Sequence, residues 1–208
     1  MGFLPELRIV VLAAGFSARL GKPKALARVH GLSLLRRTLR VLAPLATSKI
    51  IVVIPRGAGR YKIGSPGRAV VFVANPHRAI GLSSSVSLGV AQARYSAAVL
   101  LLPVDLAELQ RRDITRLIAR WRGARRKVVA QRVPAGAAVP LILPRWLYPR
   151  TSRTGPRPGP GADHGLRDLV RRLPNHMVSL VRLPSAEPDV DTASDLERAR
   201  RRIRLYPV

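Results

Sequence analysis

The chain has 208 residues, enough for a domain of ordinary size with a sizeable core, and 47% are hydrophobic, which excludes a disordered chain. It contains no cysteine, which excludes disulfides, thiolate metal sites and a cysteine nucleophile. The formal net charge is +26, with five lysines among 37 basic residues, but aromatic residues are only 4%, too few for a base-stacking platform. A solvated, arginine-rich surface that attracts anionic ligands is therefore read ahead of nucleic-acid binding.

From the amino terminus, "LRIVVLAAG" (7–15) is a continuous apolar run ending in glycine, as a buried parallel strand would be. It is short, follows Glu6 and runs into a glycine loop, and no stretch reaches the ~18 apolar residues that cross a membrane, so a cytoplasmic protein is expected. "SLLRRTLRVLAPLA" (33–46) sets leucines on one face and Arg36, Arg37 and Arg40 on the other, an amphipathic helix. "KIIVVIP" (49–55) and "AVVFVANP" (69–76) read as buried strands, and "GLSSSVSLGVAQARY" (81–95) as a helix opened by serines.

"AAVLLLPVD" (97–105) is the most hydrophobic strand and ends on an acid. A helix over 113–122 and a strand over 127–133 come next, then a Pro/Gly-rich loop at 151–162. A short helix from Gly165, a strand at "MVSLVRLP" and a closing helix at "ASDLERARRRIRL" complete the chain. Strands alternating with helices at short intervals predict one domain over 1–208. Its fold class is α/β, with a doubly wound, mainly parallel sheet flanked by helices. In such a sheet ligands sit beyond the carboxyl ends of the strands, where the glycine loop, "NPHRAIGLSSS", Asp105 and "DVDT" all fall.

The loop "VLAAGFSARLGKPK" fits neither a Walker loop nor a G-x-G-x-x-G fingerprint. What remains is Gly15, Ser17, Arg19, Gly21 and Lys24: backbone amides that approach phosphate oxygens, a guanidinium fork and a lysine point charge. Asp105, at a strand end, suits Mg²⁺, which takes carboxylate and phosphate oxygens. Asp189 and Asp191 alternate on an extended segment, so one faces the site and the other points away; Asp191 is the expected second ligand. Asn75, Gly81, Ser83 and Ser84 offer polar groups and close approach for a nucleoside.

These segments resemble the molybdenum cofactor cytidylyltransferase family, of the MobA-like NTP transferases within the nucleotidyltransferase superfamily. The likeness runs through "VLAAGFSARLGKPKAL", "NPHRAIGLSSSVSLGV", "AVLLLPVD", "GADHGLRDLV" and "DVDTASDLERA", nearly the whole chain. It implies a Rossmann-like fold of the nucleotide-diphospho-sugar transferase type and Mg²⁺-dependent transfer of a nucleoside monophosphate to a phosphorylated acceptor. CTP is the implied donor, with GTP as the alternative, and molybdopterin cofactor the implied acceptor. A molybdenum hydroxylase or its chaperone is the implied protein partner.

By the same resemblance Ala13, Ala14, Gly15, Ser17, Arg19, Gly21 and Lys24 bind nucleotide, Arg19, Lys24 and Asp105 act in catalysis, and Asp105 and Asp191 hold metal. Asp163, Gly165 and Arg167 match an Asp-x-Gly-x-Arg stretch and are expected on the acceptor side. Ala138-Val139-Pro140 departs from the family's Gly-His-Pro. A phosphosugar, phospholactate or phosphopolyol acceptor, a nucleotide binder without turnover, and a basic nucleic-acid binder are the alternatives.

Overall fold

The computed structural model describes residues 6–62, 69–153, 164–187 and 189–205. Nine strands are present among them: β1 (Leu7–Leu12), β2 (Arg28–Val29), β3 (Leu32–Ser33), β4 (Ile50–Pro55), β5 (Val70–Asn75), β6 (Ala98–Pro103), β7 (Val128–Val133), β8 (Gly136–Pro144) and β9 (Val178–Val181). Six α-helices accompany them: α1 (Leu34–Leu42), α2 (Leu82–Gln92), α3 (Arg111–Arg122), α4 (Tyr148–Arg153), α5 (His164–Arg171) and α6 (Ala193–Leu205). The predicted loop at 151–162 falls largely outside the described residues, its first three positions belonging to α4.

Seven strands form one sheet in the order β5-β4-β1-β6-β8-β7-β9, and β2 and β3 make a separate hairpin. All neighbours are parallel except β8, which runs against both β6 and β7. The fold is thus the mainly parallel α/β sheet that the strand runs predict. The chain winds outward from β1 through β4 to β5, then returns to lay β6 on the other side of β1. That reversal opens a crevice at the carboxyl ends of β1 and β6.

The continuous apolar strands are buried on both faces because helices cover both. Ile9, Val11, Leu100 and Leu102 pack under α1 and α3, whereas Val10, Leu12, Val99 and Leu101 pack under α2 and α5. Their alternation along each strand is the period-two geometry of an extended chain. α2 lies unusually close to β1: a Cβ added at Gly89 would stand 2.5 Å from Val10 Cγ1.

Strand β8 is not among the predicted elements, and its two prolines explain why it reads poorly as a central strand. Ala130 pairs with Leu141 and Gln131 with Ala138, so Val139 and Pro140 form a bulge. A proline there needs no ladder donor. The pairing with β6 stops at Leu141, leaving residues 137–139 free to face the crevice.

Candidate active site

The chain leaves β1 at Leu12, and the amide of Ala13 still donates to Val53 O at 2.8 Å. The loop then turns through two left-handed residues, Ser17 at φ +55° and Gly21 at φ +68°. Ser17 Oγ accepts from the Lys24 amide at 2.9 Å, closing the loop on itself, and Gly21 supplies the second turn without a Cβ penalty. This closure aims the Lys24 side chain inward.

Lys24 Nζ lies 2.8 Å from Asp105 Oδ2 and also bonds Asp191 Oδ1. Arg19 reaches the other oxygen of Asp191 at 2.6 Å. Asp105 stands just past the buried strand β6, and its carbonyl accepts from the Val190 amide at 3.0 Å, which pins the 189–191 segment beside it. That segment is anchored on both sides. Upstream, the buried Asp113 of α3 accepts from the Ser185 amide at 2.8 Å and its hydroxyl at 2.7 Å. Downstream, Thr192 and Asp195 exchange bonds in a capping box at the start of α6, and Asp195 also accepts from the Asp191 amide. The Thr192 hydroxyl and these amides hold the Asp195 carboxyl below the usual carboxylate range.

The expectation that Asp189 points away from Asp191 is corrected. The 189–191 stretch is not a regular strand, so side-chain alternation does not apply. One oxygen each from Asp105, Asp189 and Asp191 lie within 4.8 Å of one another. Asp105 Oδ1 is buried and has no hydrogen-bond partner among the described residues. Three hard oxygen donors with one buried and unpartnered fit a divalent cation of the Mg²⁺ or Mn²⁺ type.

Burial pushes the Asp105 carboxyl up, opposed by the Lys24 ammonium. Burial alone would lower the Lys24 pKa, but Asp105 and Asp191 together outweigh it and leave the ammonium more firmly protonated than usual.

The crevice encloses about 590 Å³. One wall is the loop Ala13–Ser17 with Arg19 and Lys24; the far wall is Ala137–Val139 of β8 and Leu166, Arg167 and Val170 of α5. Of the predicted site residues, Ala13, Ala14, Gly15, Ser17, Arg19, Lys24, Gly81, Asp105, Arg167 and Asp191 border this space. Asn75, Ser83 and Ser84 do not. Asn75 is buried, donates to Ser84 Oγ and Ser85 Oγ at 2.9 Å each, and accepts from the His77 amide at 2.8 Å. Its polar groups hold the start of α2 in place. Gly21 shapes the loop from outside the cavity, and Gly165 sits in the first turn of α5. Asp163 lies outside the described residues.

Lining residues not assigned to the site from sequence include Phe16, Arg78, Ser85 and Asp189. Phe16 is 56% exposed, with the Arg78 guanidinium 4.4 Å from its ring centroid. Arg78 has no carboxylate partner among the described residues, so its charge faces the cavity uncompensated. An arginine within the predicted nucleoside segment "NPHRAIG" is the signal that could have found it.

Residues 9–177 match the MobA-like NTP transferase domain family. A probable molybdenum cofactor guanylyltransferase of Rhodopirellula baltica is 30% identical over 196 residues, covering 92% of this chain and 90% of that protein. Among solved structures, Rv0371c of Mycobacterium tuberculosis superposes with a TM-score of 0.77 at 22% identity, covering 96% of this chain and all of that one. That protein has also been solved as a manganese complex, with a TM-score of 0.69. The 2-C-methyl-D-erythritol 4-phosphate cytidylyltransferase of Thermus thermophilus superposes with a TM-score of 0.68 at 22% identity, over 96% of this chain and 99% of that one.

Proposed function

The chain belongs to the MobA-like NTP transferase domain family, and from that premise we propose that it transfers CMP from CTP to a phosphate of a molybdopterin-type cofactor, releasing pyrophosphate. It is a nucleotidyltransferase, one domain over 1–208 in this reading. A reaction that consumes a nucleoside triphosphate is expected in the cytoplasm. The observation that carries the proposal is the convergence of Lys24, Asp105, Asp189 and Asp191 beneath the glycine loop at the sheet's reversal point.

The donor triphosphate lies along the Ala13–Ser17 backbone, where successive amides and loop glycines meet phosphate oxygens. Arg19, Lys24 and Arg78 supply positive charge around it, and Arg167 supplies it on the acceptor wall. An acceptor phosphate oxygen attacks the α-phosphorus, a new P–O bond forms, and the bond to the bridging oxygen breaks as that oxygen leaves with pyrophosphate. Both reactants are anions, so positioning and charge neutralisation carry the catalysis. An ionised phosphate needs no general base. Asp105, Asp189 and Asp191 would hold a divalent cation, which when bound neutralises phosphate charge.

The M. tuberculosis structural relative has been solved as a complex with manganese, which favours a divalent ion for this chain. A molybdenum hydroxylase or its chaperone would receive the product. A second reading replaces CTP by GTP, favoured by the guanylyltransferase name of the R. baltica relative. The test offers each ribonucleoside triphosphate with Mg²⁺ and molybdopterin and measures pyrophosphate. Release with CTP is expected, release with GTP alone moves the base assignment, and no release with any of the four sinks the proposal.

A further inference from the structure

α1 and α3, on one face of the sheet, carry arginines along their outward sides. Between α1 and the start of α3 lies a second cleft of about 250 Å³. Its floor includes the buried Val41, Leu106 and Leu109, and its rim is Arg37, Arg40 and Arg111.

The rim is a group of cations without counter-charge. No carboxylate lines the cleft among the described residues, and Glu108, in the turn that forms one wall, bonds Arg202 at 3.5 Å. Arg37 is half-buried, with its Nε donating to Ala107 O at 3.4 Å and no carboxylate partner among the described residues. Burial and the neighbouring Arg40 both press its pKa below the usual guanidinium value. Like charges held together at a partly desolvated rim are relieved when an anion arrives.

We propose that this cleft docks an acidic segment of a partner protein, seating an apolar side chain on the floor while flanking carboxylates pair with Arg37, Arg40 and Arg111. The inference does not depend on which nucleotide or acceptor the active site takes. The cleft is smaller than the roughly 300–1,000 Å³ of small-molecule sites, so it suits a side chain rather than a free ligand. A nucleic acid would pair with the arginines but has nothing to set on an apolar floor, and among the described residues none of the exposed aromatic side chains lines the cleft for stacking. Its wall also belongs to the turn that begins at the metal-site aspartate, because the Ala107 amide donates to Asp105 O at 3.0 Å. A docked partner would therefore bear on the active-site loop from behind.

The test measures fluorescence anisotropy of the intact protein with three labelled probes of equal charge: a peptide of leucines spaced among glutamates, an all-glutamate peptide, and an oligouridylate. The leucine-containing peptide is expected to bind at least fivefold tighter than the all-glutamate one. Arg40→Glu/Arg111→Glu, at two exposed positions that leave Arg37 in place, should weaken it at least tenfold with pyrophosphate release unchanged. Arg132→Glu/Arg171→Glu, equal in charge but away from the cleft, should change it less than twofold. Equal affinity for the two peptides, or equal losses in the two double variants, would overturn the proposal. Preferential binding of oligouridylate, lost in the cleft variant, would replace it with a nucleic-acid surface.

Discussion

The Lys24 ammonium and the Asp105 carboxylate lie 2.8 Å apart, and the same ammonium bonds Asp191. The lysine therefore occupies carboxylate oxygens that a divalent cation would also take. Lys24→Gln removes that competitor, so Mn²⁺ titrated calorimetrically without nucleotide should bind roughly tenfold tighter, about 1.4 kcal/mol. Nucleotidyl transfer should fall in the same variant. Weaker metal binding would mean that Lys24 instead holds the carboxylates together.

Asp189 offers an oxygen to the same cluster as Asp191, although it is the more exposed of the two. Asp189→Asn and Asp191→Asn are each expected to weaken Mn²⁺ binding about tenfold, about 1.4 kcal/mol. An Asp189→Asn protein that binds the ion as tightly as the parent would remove this residue from the ligand set.

Tyr148 is buried against Ser96, with the two hydroxyl oxygens 3.0 Å apart, and burial pushes its phenol up to about 12. The unfolded chain ionises this group near its ordinary value of 10.0, so above that pH ionisation favours unfolding. The stability it affects is fully present below pH 10 and declines until the folded phenol itself titrates, in total on the order of 3 kcal/mol. Urea midpoints of the parent and Tyr148→Phe across this range should diverge, with the phenylalanine variant losing less. Parallel curves would count against a desolvated phenol.

Gly89 marks the closest approach of α2 to β1. Gly89→Ala should destabilise by about 1–3 kcal/mol, because the new methyl meets Val10 in a packed core. Combining it with Val10→Ala should recover part of that loss in thermal melts. Additive losses in the double variant would mean that the backbone, not Val10, sets the distance.

The half of the fold that carries the glycine loop and Asp105 is readable because its signals are local. Apolar runs closing on Gly15 and Asp105 mark strand ends, and a parallel sheet gathers the loops after its strands along one carboxyl edge. Residues of the other half depend on pairing that no short window contains. Pro140 argues against a central strand until the bulge opposite Ala130 and Gln131 removes its need for a donor. Asn75 looks free in sequence, but the fold turns its amide to Ser84 and Ser85. Asp189 is turned away only by an alternation rule that holds for a true strand. Arg78 gains meaning only when it stacks on Phe16, 62 positions earlier.

The reversed strand β8 separates the two walls of the crevice into different stretches of chain. Lys24 and Asp105 lie in the segments that follow the parallel strands β1 and β6, whereas Ala137–Val139 arrive on a hairpin that enters from the opposite direction. Insertions or replacements in that hairpin and in α5 would leave the glycine loop undisturbed. An enzyme built this way can exchange its far wall as a cassette, so one phosphoryl chemistry serves many evolutionary tenants.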